Sequence, residues 1–205
     1  GGGDTVFSNK LSFTITSIGF ADNIIRRNMA KIDDDIYITG YLGDSYLGLL
    51  VLKNKIKLNS LLNKYFTNQY FKPNIKLNIA NYIKKFANTS IDISDGLLAD
   101  LDKMINTQNL SYKLYLENIP ISGNLRKVLN TKKYSKINYI SRGDDYEVLF
   151  TAAEDKRGMI KLISSKLGIR ITNIGKIQKN NQKSSILDHN NSVIKLKNKG
   201  YFHKF

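Results

Sequence analysis

The 205-residue sequence contains no cysteine and only two histidines. The lack of cysteine excludes disulfide bonds, thiolate nucleophiles and cysteine-ligated metals, and it fits a reducing compartment. His189 and His203 are isolated from each other in the sequence, so neither a histidine metal cluster nor a catalytic triad is indicated. No apolar run approaches the roughly 18 residues of a membrane span, and no secretory signal opens the chain. We therefore expect a cytoplasmic protein without a membrane partner.

Acidic residues are also scarce, with 17 Asp and Glu against 32 Lys and Arg, and the net charge is +15. Such an excess marks nucleic-acid binding when the cations cluster on one helix or surface. Here the lysines are spread from Lys10 to Lys204 among many Asn and Ile residues. The spread favours compositional drift over a dedicated nucleic-acid role, while the positive field would still attract anionic nucleotides.

Strand-like and helix-like segments interleave along the chain, which predicts an α/β or α+β fold with a mixed sheet packed against helices. In the helix that follows Gly96, the spacing of the leucines places Asp100 and Asp102 toward solvent. The first predicted helix is expected to be capped by Asp44 or Ser45. The predicted strands are 11–18, 35–40, 90–96 running into a turn, 112–116, 146–151, 169–177 and 192–196; the predicted helices are 46–52, 58–65, 78–86, 97–105, 125–129 and 159–167.

The segment 92–96 (DISDG) has two interpretations. Asp92 and Ser94 lie on the same side of a strand, Asp95 lies at the turn, and Gly96 is free to adopt unusual backbone angles. Carboxylate oxygens at such a corner suit Mg²⁺, and the amino terminus of the next helix favours phosphate. Alternatively, Asp95 only caps that helix.

Two further polar segments could carry chemistry. The opening GGGDT would let a backbone approach phosphate closely, although glycine-rich openings are common in loops, and neither a Walker loop nor a dinucleotide fingerprint is present. The segment 142–147 (RGDDYE) concentrates three carboxylates before an apolar strand. It is either a functional loop or a solvated turn with one capping aspartate.

Taken in order, these segments resemble the thiamine-monophosphate kinase family, of the superfamily that includes aminoimidazole ribonucleotide synthetase. The resemblance extends over essentially the whole chain and rests on the order and spacing of the motifs. They are GGDT at 2–5 with the strand 13–19, DIYITG at 35–40 with GDS at 43–45, IDISDGL at 91–97, GDDYEVLFT at 143–151, IG at 174–175 and KGY at 199–201.

The resemblance implies an ATP-dependent phosphotransferase that converts thiamine monophosphate to thiamine diphosphate. It implies Mg²⁺ as cofactor, ATP as co-substrate and a homodimer in the full-length family. The implied fold is the carboxy-terminal domain of the aminoimidazole ribonucleotide synthetase-like fold, preceded by a strand of the amino-terminal domain. The implied residues are Asp4, Asp92 and Asp95 for Mg²⁺, Gly3, Asp4, Arg27 and Ser94 for ATP, and Asp144 and Tyr201 for thiamine monophosphate.

The sequence departs from the family pattern in three places. The family begins about a domain earlier, so residues 1–27 are expected to end the amino-terminal ATP- and Mg²⁺-binding domain and residues 28–205 to form the carboxy-terminal domain. Asp144 stands where the family often has Glu, and an arginine- and proline-rich segment is reduced to 72–76 (KPNIK). The alternative to an active kinase is therefore an inactive or split fragment that retains nucleotide binding.

Overall fold

The computed structural model of this chain describes residues 15–21, 23–181 and 183–194. Within them, six strands form one sheet in the order β2-β4-β1-β5-β3-β6. Neighbouring strands are antiparallel except for the parallel pair β3 and β6, so the sheet is mixed and the fold is α+β, as predicted. The strands are β1 (Asp35–Thr39), β2 (Thr89–Asp92), β3 (Leu110–Tyr115), β4 (Val148–Ala152), β5 (Ile171–Lys179) and β6 (Ser185–Leu187).

Seven α-helices connect these strands in the described part of the chain. They are α1 (Asp44–Leu52), α2 (Ser60–Phe71), α3 (Ala80–Ile83), α4 (Leu97–Met104), α5 (Gly123–Lys132), α6 (Ile137–Ile140) and α7 (Arg157–Leu167), with short 3-10 turns at Leu77–Ile79, Leu116–Asn118 and Glu154–Lys156. Local signals set several ends: Asn59 and Ser122 cap α2 and α5, and Gly168 ends α7 in the left-handed conformation. No described helix has the length and apolarity needed to cross a membrane.

The sheet is covered by helices on both faces because its central strands bury both sides. In β1, Ile36 and Ile38 join the larger apolar cluster with α1, α2, α4, α5 and α6. Tyr37, between them, points to the opposite face. There it stacks on Phe150 of β4 with ring centroids 5.2 Å apart, in a smaller cluster with α3 and α7. The sheet thus holds β2 and β4 rigidly side by side, which positions the segments at their ends.

Two of the predicted strands are not formed as expected. Residues 11–14 of the first one lie outside the described residues, and residues 15–18 form no strand; Ile15 and Ile18 are 88% and 84% exposed. A strand requires a neighbour to pair with, and the described part of this chain offers none to them. In the tail, Val193 makes only an isolated bridge to Leu187, and residues 195–196 lie outside the described part.

The predicted caps of α1 and α4 are wrong. The residue at the N-cap of α1 is Gly43, and neither Asp44 nor Ser45 caps the helix. In α4 the N-cap residue is Gly96, at φ 119°, and Asp95 makes no capping hydrogen bond. The unusual backbone angle expected of Gly96 is confirmed, since a side chain is strained at such a φ. Both helix starts are instead served by aspartates from further along the chain, as described below.

Candidate active site

Two acidic segments lie against each other at one end of the sheet. The first, residues 92–96, follows β2 and is called here the acidic turn; the second, residues 143–147, precedes β4 and is called the acidic loop. Because β2 pairs with β4, the segments continue side by side beyond the strands. Their backbone hydrogen bonds are Ile93 N to Glu147 O, Tyr146 N to Ile93 O and Asp144 N to Ser94 O, each 2.9 Å.

The acidic loop comes so close to the acidic turn that only glycine fits at Gly143. A Cβ atom there would lie 1.8 Å from the carbonyl oxygen of Ser94. One and three residues further on, the loop adopts left-handed backbone angles at Asp144 (φ 67°) and Tyr146 (φ 51°). Such angles are uncommon for residues other than glycine, and they persist where the surroundings enforce them, often at functional sites.

The side chains of Asp144 and Tyr146 share one electrostatic environment with the acidic turn. Burial raises the pKa of the Asp144 carboxyl, and the negative charge of Asp95 raises it further. Burial also raises the pKa of Tyr146, with added contributions from Asp144, Asp92 and Asp95. The charges of Asp92, Asp95 and Asp144 therefore all act on Tyr146, and those of Asp95 and Asp144 act on each other.

Lys103, on α4, provides a cation to this group. Its ammonium pairs with the Asp95 carboxylate and lies 2.9 Å from Oδ1 of Asp100. Burial alone would lower the pKa of Lys103, but the hydrogen bonds to Asp95 and Asp100 outweigh it and the pKa is raised.

Asp100 does not point to solvent, contrary to the prediction; it is 1% exposed. Its Oδ2 accepts hydrogen bonds from the amides of Asp95 (2.8 Å) and Gly96 (3.1 Å). Asp100 therefore satisfies backbone donors at the start of α4 and holds the acidic turn in shape. An acidic residue in the first turn of a helix that follows glycine was the available sequence signal. Asp102 accepts a hydrogen bond from the Tyr112 hydroxyl at 2.9 Å.

The other two carboxylates of the acidic loop point away from the acidic turn and are buried. Oδ2 of Asp145 accepts a hydrogen bond from the amide of Gly43 at 2.9 Å. Oε2 of Glu147 accepts one from the Thr39 hydroxyl at 2.6 Å, and its Oε1 lies 3.0 Å from the Lys76 ammonium. Burial raises the pKa of Asp145 well above its usual range, although the hydrogen bond from Gly43 opposes the shift. These contacts anchor the loop to β1 and α1.

A polar cavity of about 630 Å³ lies on this anchoring side. Its lining includes Asp145, Glu147, Lys76 and Asp44, and Asp44 is buried. Burial raises the pKa of Asp44, while hydrogen bonds from Ser122 (2.7 Å) and Tyr65 (2.8 Å) counter the rise. All four ionisable groups already have partners within the protein. The sequence-predicted site residues do not line this cavity.

The structure brings together four of the residues that the resemblance implies. Ser94, Asp95 and Asp144 meet where the two acidic segments join, and Asp92 is exposed at the end of β2. Arg27 has no hydrogen bond or ion pair with them among the described residues. The carbonyl of its neighbour Arg26 accepts a hydrogen bond from Thr89, at the opposite end of β2, about 10 Å of strand away. Gly3, Asp4 and Tyr201 lie outside the described residues.

Hard carboxylate oxygens on the acidic turn suit Mg²⁺, which commonly uses one or two protein carboxylates together with water and substrate phosphates. Asp92 and Asp95 meet that requirement. In the described part of the chain, no group of three or more acidic or histidine side chains is arranged to hold a metal ion, and Asp95 already pairs with Lys103. The donor chemistry therefore fits Mg²⁺, provided that a substrate or further residues complete the ligand set.

Solved structures define the class of fold. The crystal structure of thiamine-monophosphate kinase from Stenotrophomonas maltophilia K279a matches with TM-score 0.69 and 29% identity, over 80% of this chain and 52% of that chain. AaThiL complexed with AMPPCP and TMP matches with TM-score 0.71 and 24% identity, over 88% and 54%. The hydrogenase maturation protein HypE from E. coli also matches, with TM-score 0.60 and 14% identity, over 85% and 52%. Since proteins of different roles share this fold, the fold alone does not fix the activity.

Sequence comparison is more specific. The thiamine-monophosphate kinase of Buchnera aphidicola subsp. Acyrthosiphon pisum is 34% identical over 208 residues, covering 98% of this chain and 62% of that protein. That of Escherichia coli K12 is 31% identical over 179 residues, covering 86% and 54%. No protein-family model matches the chain. The chain is similar to the thiamine-monophosphate kinases over most of its own length, and it spans about three-fifths or less of the length of these curated relatives.

Proposed function

We propose that this chain forms part of an ATP-dependent kinase that phosphorylates thiamine monophosphate to thiamine diphosphate. One observation carries the proposal: the amide of Asp144 donates to the carbonyl of Ser94 at 2.9 Å. This contact joins the two segments that carry the motifs of the kinase family. The alignment with one of those kinases, at 34% identity, covers 98% of this chain. Arrangement and ancestry thus support the same reaction.

The reaction needs positioning more than covalent chemistry. An oxygen of the acceptor phosphate forms a bond to the γ-phosphorus of ATP, and the bond from that phosphorus to the β–γ bridging oxygen breaks, giving ADP. A phosphate monoester loses its second proton with a pKa of about 6 and is already a nucleophilic anion at neutral pH, so it needs no strong base. The site must instead align two anions and reduce their repulsion.

In this proposal Asp4, Asp92 and Asp95 hold Mg²⁺, which neutralises phosphate charge when bound. Gly3, Asp4, Arg27 and Ser94 contact ATP, and Asp144 and Tyr201 face thiamine monophosphate. The position of Asp144 supports its part, because its backbone is hydrogen-bonded to Ser94 and its carboxyl lies in the field of Asp95.

We further propose that residues 1–27 end an amino-terminal domain, that residues 28–205 are the carboxy-terminal domain, and that the complete enzyme is a cytoplasmic homodimer. The length of the relatives supports this division, because this chain covers 62% of one and 54% of another. The alternative function is an inactive or split fragment that retains nucleotide binding.

The test is ATP- and Mg²⁺-dependent formation of thiamine diphosphate, by this chain alone and with the amino-terminal part of a relative added. The kinase would be supported if turnover is observed, if Asp144→Ala lowers it at least tenfold, and if Asp155→Asn leaves it unchanged. Asp155 is a suitable control because its side chain is 68% exposed and lies on a different turn. Turnover only after the amino-terminal part is added would show that the active site is divided between two chains. No turnover in either sample, with ATP still bound, would favour the inactive fragment.

A further inference from the structure

Lys103 pairs with Asp95, one of the proposed Mg²⁺ ligands. The Lys103 ammonium pairs with the Asp95 carboxylate, while Asp92 and Asp144 have no ion pair of this kind in the described part of the chain. The same ammonium contacts Asp100, whose carboxylate is already committed to the amides of Asp95 and Gly96. Lys103 is therefore tethered at Asp100 and shared with Asp95.

The two partners of Lys103 differ in what they lose if it moves. The Asp100 side chain is 1% exposed and fixed by two backbone donors, whereas the Asp95 side chain is 22% exposed and free of other hydrogen bonds among those seen in the described residues. The Lys103 side chain, 40% exposed, can reach water without unfolding α4. A cation arriving from solvent would consequently compete for Asp95 and leave Asp100 in place.

We propose that Lys103 is a positioning residue that competes with divalent cations for Asp95 and so sets the Mg²⁺ concentration at which the acidic turn is loaded. In the metal-free protein the ammonium balances the charge of Asp95 and keeps the turn ordered. When Mg²⁺ binds, the Lys103–Asp95 pair opens and Lys103 remains with Asp100. This inference rests on the metal assignment within the proposed function, but its test requires no catalysis.

The experiment titrates this chain with MgCl₂ alone at constant ionic strength and follows the backbone amide resonances of Asp95 and Gly96. Lys103→Gln removes the charge and keeps most of the length, and Lys103→Arg keeps the charge. Lys156→Gln is the matched control, because Lys156 also pairs with an aspartate at 2.9 Å but lies beyond the far end of β4. The side-chain resonances of Lys103 in the unaltered protein give a second readout that depends on no variant.

The expected result is an Mg²⁺ affinity about two- to fivefold tighter in Lys103→Gln, the size of a partly exposed ion pair. Lys103→Arg and Lys156→Gln should show no tightening, and the Lys103 side-chain signals should shift with the same Mg²⁺ midpoint as the Asp95 amide. Equal or weaker affinity in Lys103→Gln, stationary Lys103 signals, or no saturable shift in either protein would overturn the inference. A lack of kinase turnover would not overturn the inference, because the titration measures binding alone.

Discussion

Replacing Gly143 by alanine should separate the two acidic segments of the site. The added Cβ would lie 1.8 Å from the Ser94 oxygen and 2.6 Å from its carbonyl carbon, whereas ordinary contacts begin near 3.4 Å. Both obstacles are backbone atoms, so no side chain can rotate away. The loop would have to retreat by about 1.6 Å, since close-packed interiors have no slack for such an overlap.

The cost follows from the contacts that this retreat breaks. The hydrogen bonds Asp144 N to Ser94 O and Tyr146 N to Ile93 O are 2.9 Å long, and neither would survive a shift of that size. Each contributes about 0.5–1.5 kcal/mol, and a donor left buried without a partner costs about 1–3 kcal/mol more. We therefore expect Gly143→Ala to lower the free energy of unfolding by about 2–6 kcal/mol, measured by urea denaturation.

Gly158→Ala is the matched control for the same chemical change. Gly158 lies in α7, and a Cβ added there meets no atom within 4 Å. Alanine in a helix is favoured over glycine by up to about 1 kcal/mol, so this variant should equal or exceed the unaltered protein in stability. If Gly143→Ala proved as stable as Gly158→Ala, with the Asp144 amide resonance unmoved, the described approach of the two segments would be incorrect.

Three further variants test the electrostatics and the core by urea denaturation. Because the pKa of Asp145 is raised, the folded state binds a proton there more tightly than the unfolded state. The free energy of unfolding should therefore fall as the pH rises above the usual aspartate pKa. Asp145→Asn has no such proton to lose, so its free energy of unfolding should increase relative to that of the unaltered protein over the same pH range. Burial alone would raise the pKa of Asp35, but the contacts with Arg157 outweigh burial and the pKa is lowered. Arg157→Gln should therefore be less stable than the unaltered protein above the usual aspartate pKa. This difference should disappear as the pH falls through the lowered pKa of Asp35. Phe150→Ala, at a fully buried ring, should cost about 3–5 kcal/mol, and a loss below 1 kcal/mol would contradict the described packing.

Local patterns in the sequence predicted most of the elements. The predicted strand 35–40 contains β1, whose residues face two different apolar clusters, and the 3.6-residue spacing located α4. Gly168 marked the end of α7 because the left-handed conformation found there favours glycine. These signals depend on neighbouring residues only, so a single sequence reveals them. The ends of the elements moved by a few residues, as terminal pairing depends on partners.

Contacts between distant segments were not predictable in this way. Gly43 and Asp145 are 102 residues apart, and no local periodicity links them. β6 has only three residues and exists because it pairs in parallel with β3, so its own pattern was too short to predict. Asp100 was placed toward solvent because helical spacing shows where apolar residues recur, but it does not show that a carboxylate turns back to bind the amides of the preceding turn.

The acidic loop joins the site to the core because its carboxylates alternate between two sides. Asp144 lies beside the acidic turn, whereas Asp145 and Glu147 are only 7% and 6% exposed and hold the loop to α1 and β1. The interpretation of 142–147 as a solvated turn is therefore wrong for these two side chains. A neutral substitution at Asp144 changes the charge beside Asp95, while a substitution that removes the hydrogen-bond acceptor at Asp145 or Glu147, such as Asp145→Ala, loosens the backbone that carries Asp144. Adjacent carboxylates of identical chemistry should thus produce different defects: Asp144 variants in ligand affinity, Asp145 variants first in stability.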